Sequence, residues 1–138
     1  MKIFIICSKR FYSKVPDIKN ELEQLGHIIT LPNSFEDPTA EARHKELGNK
    51  EYAKWKSDML KHSADIMHDH DSVLVLNFEK DGVENYIGGA TFLEIYEAFK
   101  LGKKIFIYND IPVGILTDEI IGFSPIIINS RLELIGRN

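Results

Sequence analysis

Residues 86–104 read Tyr-Ile-Gly-Gly-Ala-Thr-Phe-Leu-Glu-Ile-Tyr-Glu-Ala-Phe-Lys-Leu-Gly-Lys-Lys, and the fold unrolls from this stretch in both directions. Before it, Ser72–Leu76 is a run of apolar and β-branched residues, a strand that leads into a polar loop. Gly88 and Gly89 close the loop, and a helix bearing Glu94 near its start follows them. Two adjacent residues without Cβ leave room for a ligand to approach the backbone. The same layout puts Glu94 toward the positive end of a helix dipole, where an ionised carboxylate is favoured.

Outward from this stretch, strands and helices alternate. Lys2–Cys7 is a continuous apolar run, as expected of a strand buried on both faces. Val15, Ile18, Leu22 and Leu25 recur at helical spacing and end at Gly26. His27–Leu31 forms a second strand, stopped by Pro32-Asn33. Asp37 to about Gly48 is polar, with Pro38 suited to the first turn of a helix. Glu51–His68 is a longer helix, Ser72–Asn77 the third strand, Thr91–Leu101 a helix and Lys104–Tyr108 the fourth strand. Ile111–Phe123 is irregular or a short helix, Pro125–Ile128 a fifth strand, and Leu132–Ile135 a last turn. Strands separated by helices imply right-handed βαβ units and a parallel sheet. The expected fold is α/β: a flavodoxin-like or Rossmann-like three-layer sandwich whose five-stranded parallel sheet has the order 2-1-3-4-5. Ligands bind such sheets beyond the strand carboxyl ends, at the switch point between strands 1 and 3. Cys7-Ser8 and Asn77-Phe78 mark that point, and the glycine pair with Glu94 arrives at the same crevice.

Composition narrows the function. The 138 residues suit one domain, spanning 1–138, with a proper core. A formal charge of -4 argues against a nucleic-acid polymer as partner, because tracking phosphates needs a basic stripe. The single cysteine, Cys7, excludes an internal disulfide and suits a reducing compartment. Ile3–Cys7 is too short for the apolar core of a signal peptide, and no segment approaches a membrane span. A soluble, cytoplasmic domain with no membrane partner is the expectation.

Glu94 has two readings. Thr91-x-x-Glu94 is a capping-box pattern in which the glutamate only satisfies a backbone amide. Against that, Ala90, Ala98 and Leu101 share its helical face, so the carboxylate is expected to turn inward. An inward carboxylate can stabilise positive charge that develops on a substrate, or attack it as a nucleophile. Ser8, Phe11 and Tyr12 follow the first strand, where an aromatic ring can stack on a base. Asn77 and Asn109 end strands 3 and 4, within reach of a ligand or as turn formers. His62, His68 and His70, with Asp65, Asp69 and Asp71, match no zinc spacing, so no metal is expected.

The string Ala90, Glu94, Ile95, Tyr96, Ala98, Gly102, Lys103 resembles the Gly-x-x-x-Glu-Leu-Gly-x-Ala-x-x-x-Gly-Lys pattern of the nucleoside 2-deoxyribosyltransferase family. The resemblance covers residues 71–108 and, more loosely, the first strand. It implies Glu94 as nucleophile and contacts to base and sugar from Ser8, Phe11 and Tyr12, with no cofactor; the strand-end Asn77 and Asn109, the loop Asn85 and the pair Gly88 and Gly89 complete the expected contacts to a nucleoside or nucleotide. It also implies a homodimer whose subunit contact lies beside the crevice. Gly88 stands where the family has an aspartate and Tyr96 where it has a glycine; Asp81, Glu84 and Asn85 are the polar residues close enough in sequence to stand in. Gly88-Gly89-Ala90-Thr91-Phe92-Leu93-Glu94 is also similar to the Pro-Gly-Gly-x-Gly-Thr-x-x-Glu motif of the cytokinin-activating phosphoribohydrolases, with Ile87 in place of the proline.

The expected function is hydrolysis or transfer at an N-glycosidic bond. The alternative is a non-catalytic module that binds a nucleotide-derived ligand. A flavin carrier fits less well, because Ser8-Lys9-Arg10-Phe11-Tyr12-Ser13 is a poor phosphate loop. Apolar surface around Tyr52 and Trp55, and along Ile111–Phe123, is the expected dimer contact.

Overall fold

Five short strands make one all-parallel sheet of order β2-β1-β3-β4-β5 in the computed structural model, which describes residues 1–137. The strands are β1 (Lys2–Ile6), β2 (Ile28–Thr30), β3 (Ser72–Val75), β4 (Lys104–Ile107) and β5 (Ile126–Ile127). The helices are α1 (Val15–Gln24), α2 (Ala40–Glu46), α3 (Asn49–His68), α4 (Gly89–Lys100) and α5 (Thr117–Gly122). This is the flavodoxin-like three-layer α/β fold expected from the sequence.

The apolar runs explain the layers. Along β1, Ile3, Ile5 and Cys7 face one side and pack with Val15, Ile18 and Leu22 of α1 and with Leu132 and Ile135 of the C-terminal turn. Phe4 and Ile6 face the other side and pack with Met67 of α3, Ile95 and Ala98 of α4, and Ile120 of α5. Both faces are dry, so the central strands need no polar alternation. Register follows: Phe4 pairs with Val73 and Ile5 with Leu74, while Val73 pairs with Ile105.

Helix α3 is too long for the sheet. Twenty residues span about 30 Å, whereas a five-residue strand covers roughly 17 Å. Its C-terminal half, with Met67, lies on the sheet. Its N-terminal half overhangs the strand carboxyl ends and is covered by α2, where Trp55 stacks on His44 at 5.1 Å and on Tyr52 at 5.9 Å. The expected contact surface around Tyr52 and Trp55 is therefore partly internal.

Two local expectations change. Pro38 stands outside α2, whose N-cap is Thr39. Helix α4 starts two residues before Thr91; its N-cap is Gly88, in extended backbone and with no side-chain cap. Thr91-x-x-Glu94 is thus not a capping box, and Glu94 sits in the second turn. There the dipole of the helix end has largely faded.

Candidate active site

The overhang of α3 encloses a cavity of about 450 Å³ beyond the carboxyl ends of β1 and β3, within the range of small-molecule sites. Cys7 and Ser8 form its floor at the end of β1, and Gly88, Gly89, Thr91 and Glu94 contribute from α4. Trp55, Lys56, Met59 and Ser63 of α3 make the facing wall. Pro32, Asn33, Ser34 and Pro38, from the segment between β2 and α2, and Glu41 of α2 roof it.

Glu94 is the feature of this cavity with the most chemical consequence. Its side chain is half-buried and forms part of the cavity lining. Burial pushes its carboxyl from the ordinary 4.5 up to about 7, against the lowering effects of a Ser63 hydrogen bond and the Lys56 charge. Desolvation penalises the anion more than these two neighbours support it. The expected support of the ionised carboxylate by the helix dipole is corrected, because Glu94 sits in the second turn of α4.

Glu41 is the other carboxylate in the lining, and its surroundings act the opposite way. Burial opposes its charge too, but Lys56 at 3.0 Å, Lys9 at 3.8 Å and Lys45 at 4.0 Å hold it below its ordinary range. Two carboxylates in one cavity thus have affinities for protons pushed apart, a pattern typical of acid and base pairs. Neighbouring Cys7 is pushed up to about 12 by burial and then by Glu94. Tyr12 is raised by burial, with Cys7 and Glu94 adding to it. Both stay protonated at neutral pH, so each has a proton to donate.

The residues singled out in the sequence divide into two groups. Ser8, Tyr12, Gly88, Gly89 and Glu94 line the cavity together. Ser8 is partly engaged, since its Oγ accepts from the Arg10 amide at 3.3 Å. Gly89 is open: a Cβ there would meet nothing within 4 Å, whereas one on Gly88 would press on the Tyr86 hydroxyl at 3.1 Å.

Phe11, Asn77, Asn85 and Asn109 lie outside the lining. Phe11 is core, edge-on to Phe78 and Tyr86. Asn77 is fully buried, and its Nδ2 donates to the Asp110 carbonyl at 2.9 Å. Its Oδ1 accepts from the Asn109 amide at 2.8 Å, and Asn109 Nδ2 returns a bond to the Asn77 carbonyl at 2.9 Å. Asn85 holds a left-handed turn at φ 56°. The proposed stand-ins for the missing aspartate also point elsewhere: Asp81 pairs with Arg10 at 2.7 Å, and Glu84 is exposed.

No family model and no curated protein matches the chain.

Sequence reasoning missed Asn33, Glu41, Lys56, Met59 and Ser63 as lining residues and assigned Trp55 to a dimer contact. The available signal was length: a helix of this extent cannot be covered by strands of four or five residues. Of the histidines, His70 is structural, with Nδ1 against the Ile66 carbonyl at 2.7 Å and Nε2 against Thr30 at 2.6 Å. Among the described residues no three His, Cys, Asp or Glu side chains gather as metal ligands. None of the described helices is long and apolar enough to cross a membrane.

Proposed function

We propose that this protein cleaves or transfers the N-glycosidic bond of a nucleoside or nucleoside monophosphate, with Glu94 as nucleophile. The observation that carries the proposal is the Glu94 carboxyl in the lining of a cavity opened by Gly89, where burial pushes it up to about 7. Glu94 attacks C1 of the sugar as the bond to the base nitrogen breaks, and the base leaves with the bonding pair. Tyr12 and Cys7 keep their protons and offer hydrogen bonds to that nitrogen, which takes up a proton from solvent water; the proton lost when water or the second base attacks C1 balances it. Water or a second base then displaces Glu94 from C1, restoring the carboxylate. The apolar wall of Trp55 and Met59 suits a planar ring. The likeness of residues 90–103 to the deoxyribosyltransferase pattern supports the same chemistry. Incubating the protein with a panel of nucleosides and nucleotides, followed by chromatography, tests it: free base should appear, and none with Glu94→Gln. A panel without base release, but with saturable binding of one member, would favour the non-catalytic module.

The same proposal includes a homodimer. Helix α4 turns Glu94 inward and Leu93, Tyr96 and Phe99 outward, each between 44% and 48% exposed. Phe99 and Tyr96 continue onto Phe123 at 5.3 and 6.1 Å, and Ile121 is exposed nearby in the chain. A contiguous apolar face of this kind marks an interface. Pairing along α4 would set the subunit contact beside the cavity. Light scattering should give twice 15.8 kDa; a monomer at micromolar concentration refutes the dimer.

A further inference from the structure

Asn33 follows β2 in the segment over the cavity, and its side chain reaches across to α3. Its Nδ2 donates to the Met59 carbonyl at 2.9 Å and to Ser63 Oγ at 2.9 Å, which commits both protons of the amide. A flipped amide would set its oxygen against the Met59 carbonyl, so the main chain of α3 fixes which way round the group lies. Both bonds run through the nitrogen, and the oxygen has no donor among the described residues. It is still open to water, because Ser72 Oγ is the one sealed-off polar side-chain atom without a partner among those residues. Asn33 is half-buried and lines the cavity, which makes Oδ1 an unengaged acceptor on its wall.

The other acceptor side chains of the lining are engaged or can turn. Glu41 is held by Lys9, Lys45 and Lys56. Ser8 Oγ takes the Arg10 amide. Tyr12 and Cys7 keep their protons, and the hydroxyls of Ser34 and Thr91 rotate to suit a donor or an acceptor. Glu94 is given to C1 of the sugar in the proposed reaction. Asn33 Oδ1 can only accept and cannot turn away. It also sits where a ring would lie. Its nitrogen is bonded to the Met59 carbonyl, and Met59 with Trp55 forms the apolar wall suited to a planar base. A base laid on that wall presents an edge to the Asn33 amide, while Gly89 and Glu94 on the α4 side are left for the sugar.

We propose that Asn33 is a specificity-determining residue whose Oδ1 accepts a hydrogen bond from an exocyclic amino group of the base. The site then takes amino-bearing bases such as adenine or cytosine in preference to their oxo counterparts. The inference rests on the cavity being a nucleoside or nucleotide site. A carbonyl in place of the amino group would meet Oδ1 lone pair to lone pair, and the pinned amide cannot turn to offer its nitrogen. A polar group fixed in this way rejects a mismatched ligand because both partners are left without a hydrogen bond.

Titration calorimetry with adenosine, purine riboside and inosine tests this, each as the nucleoside and as the monophosphate. Cytidine, its analogue without the amino group, and uridine repeat the series for a pyrimidine. A Glu94→Gln background keeps the ligands intact. The amino member should bind about tenfold tighter than the analogue carrying hydrogen in its place, and the oxo member more weakly still. In Asn33→Ala, checked for folding by circular dichroism, the first two should bind alike. Equal binding of the amino and hydrogen members overturns the assignment without need of the variant, as does a preference that persists in folded Asn33→Ala. Binding of no member in either series overturns it too. Base release is read separately, on wild type in the nucleotide panel. Release without an amino preference leaves the glycosidic reading standing and removes this role from Asn33; an amino preference without release does the reverse.

Discussion

Two polar clusters sit at the carboxyl ends of the same sheet, and they have opposite fates. Beyond β3 and β4, Asn77 and Asn109 exchange hydrogen bonds with each other and with the Asp110 carbonyl. Beyond β1, Cys7, Tyr12 and Glu94 crowd round a cavity with too few donors to support the charge they could carry. The first cluster is satisfied and closes the sheet end. The second is left short, and its proton affinities shift. Polar residues at strand ends are therefore not equivalent: those whose hydrogen bonds are complete hold the fold, and those left incomplete are available for chemistry.

The contrast is broken most directly at Glu94. Glu94→Gln keeps the shape and removes the nucleophile, so base release should fall on the order of 10³-fold or more. Normal turnover by the folded variant would return Glu94 to structure. At the closed cluster, Asn77→Ala orphans the Asn109 amide and the Asp110 carbonyl and should cost about 3 kcal/mol in urea unfolding. Ligand binding in the cavity should survive in the folded fraction. An Asn77→Ala variant of native stability that had lost binding would move Asn77 into the site.

The pH dependence of stability sharpens the comparison. Folded Glu94 holds its proton more tightly than the unfolded chain does, with a midpoint near 7 against 4.5. Between those values the native state binds more protons, so its stability falls as pH rises through that window and levels off above it. The loss is at most about 3 kcal/mol, and Glu94→Gln should remove it. A wild-type profile as flat as the variant's would mean that Glu94 is solvated. The smallest effect is at the rim. Gly89→Val places a branched side chain in open space, so melting should be unchanged while ligand affinity drops about tenfold. Unchanged affinity would take the α4 end of the cavity out of the site.

Much of this architecture was legible. The apolar run of β1 and the matching runs at β3 and β4 specify strands buried on both faces. Their separation by helices specifies a parallel sheet and its switch point. Glu94, Gly88, Gly89, Ser8 and Tyr12 fell within reach of that point by order along the chain. The asparagines did not separate in the same way, because Asn77 and Asn85 carry the same side chain whether their hydrogen bonds are spent or free.

The sequence by itself determined the element order, the two-sided core and the position of one carboxylate beside a glycine pair, since local periodicity and chain direction are enough for these. Only the tertiary structure decided what that carboxylate is. Its start point on α4, two residues earlier than the Thr91 pattern indicates, removes the cap. The overhang of α3 and the roof from residues 32–47 bring Ser63, Lys56 and Asn33, each 31 residues or more away in sequence, around it. Proton affinity depends on how many atoms exclude water from a group and which donors reach it, and both are set by packing between distant segments.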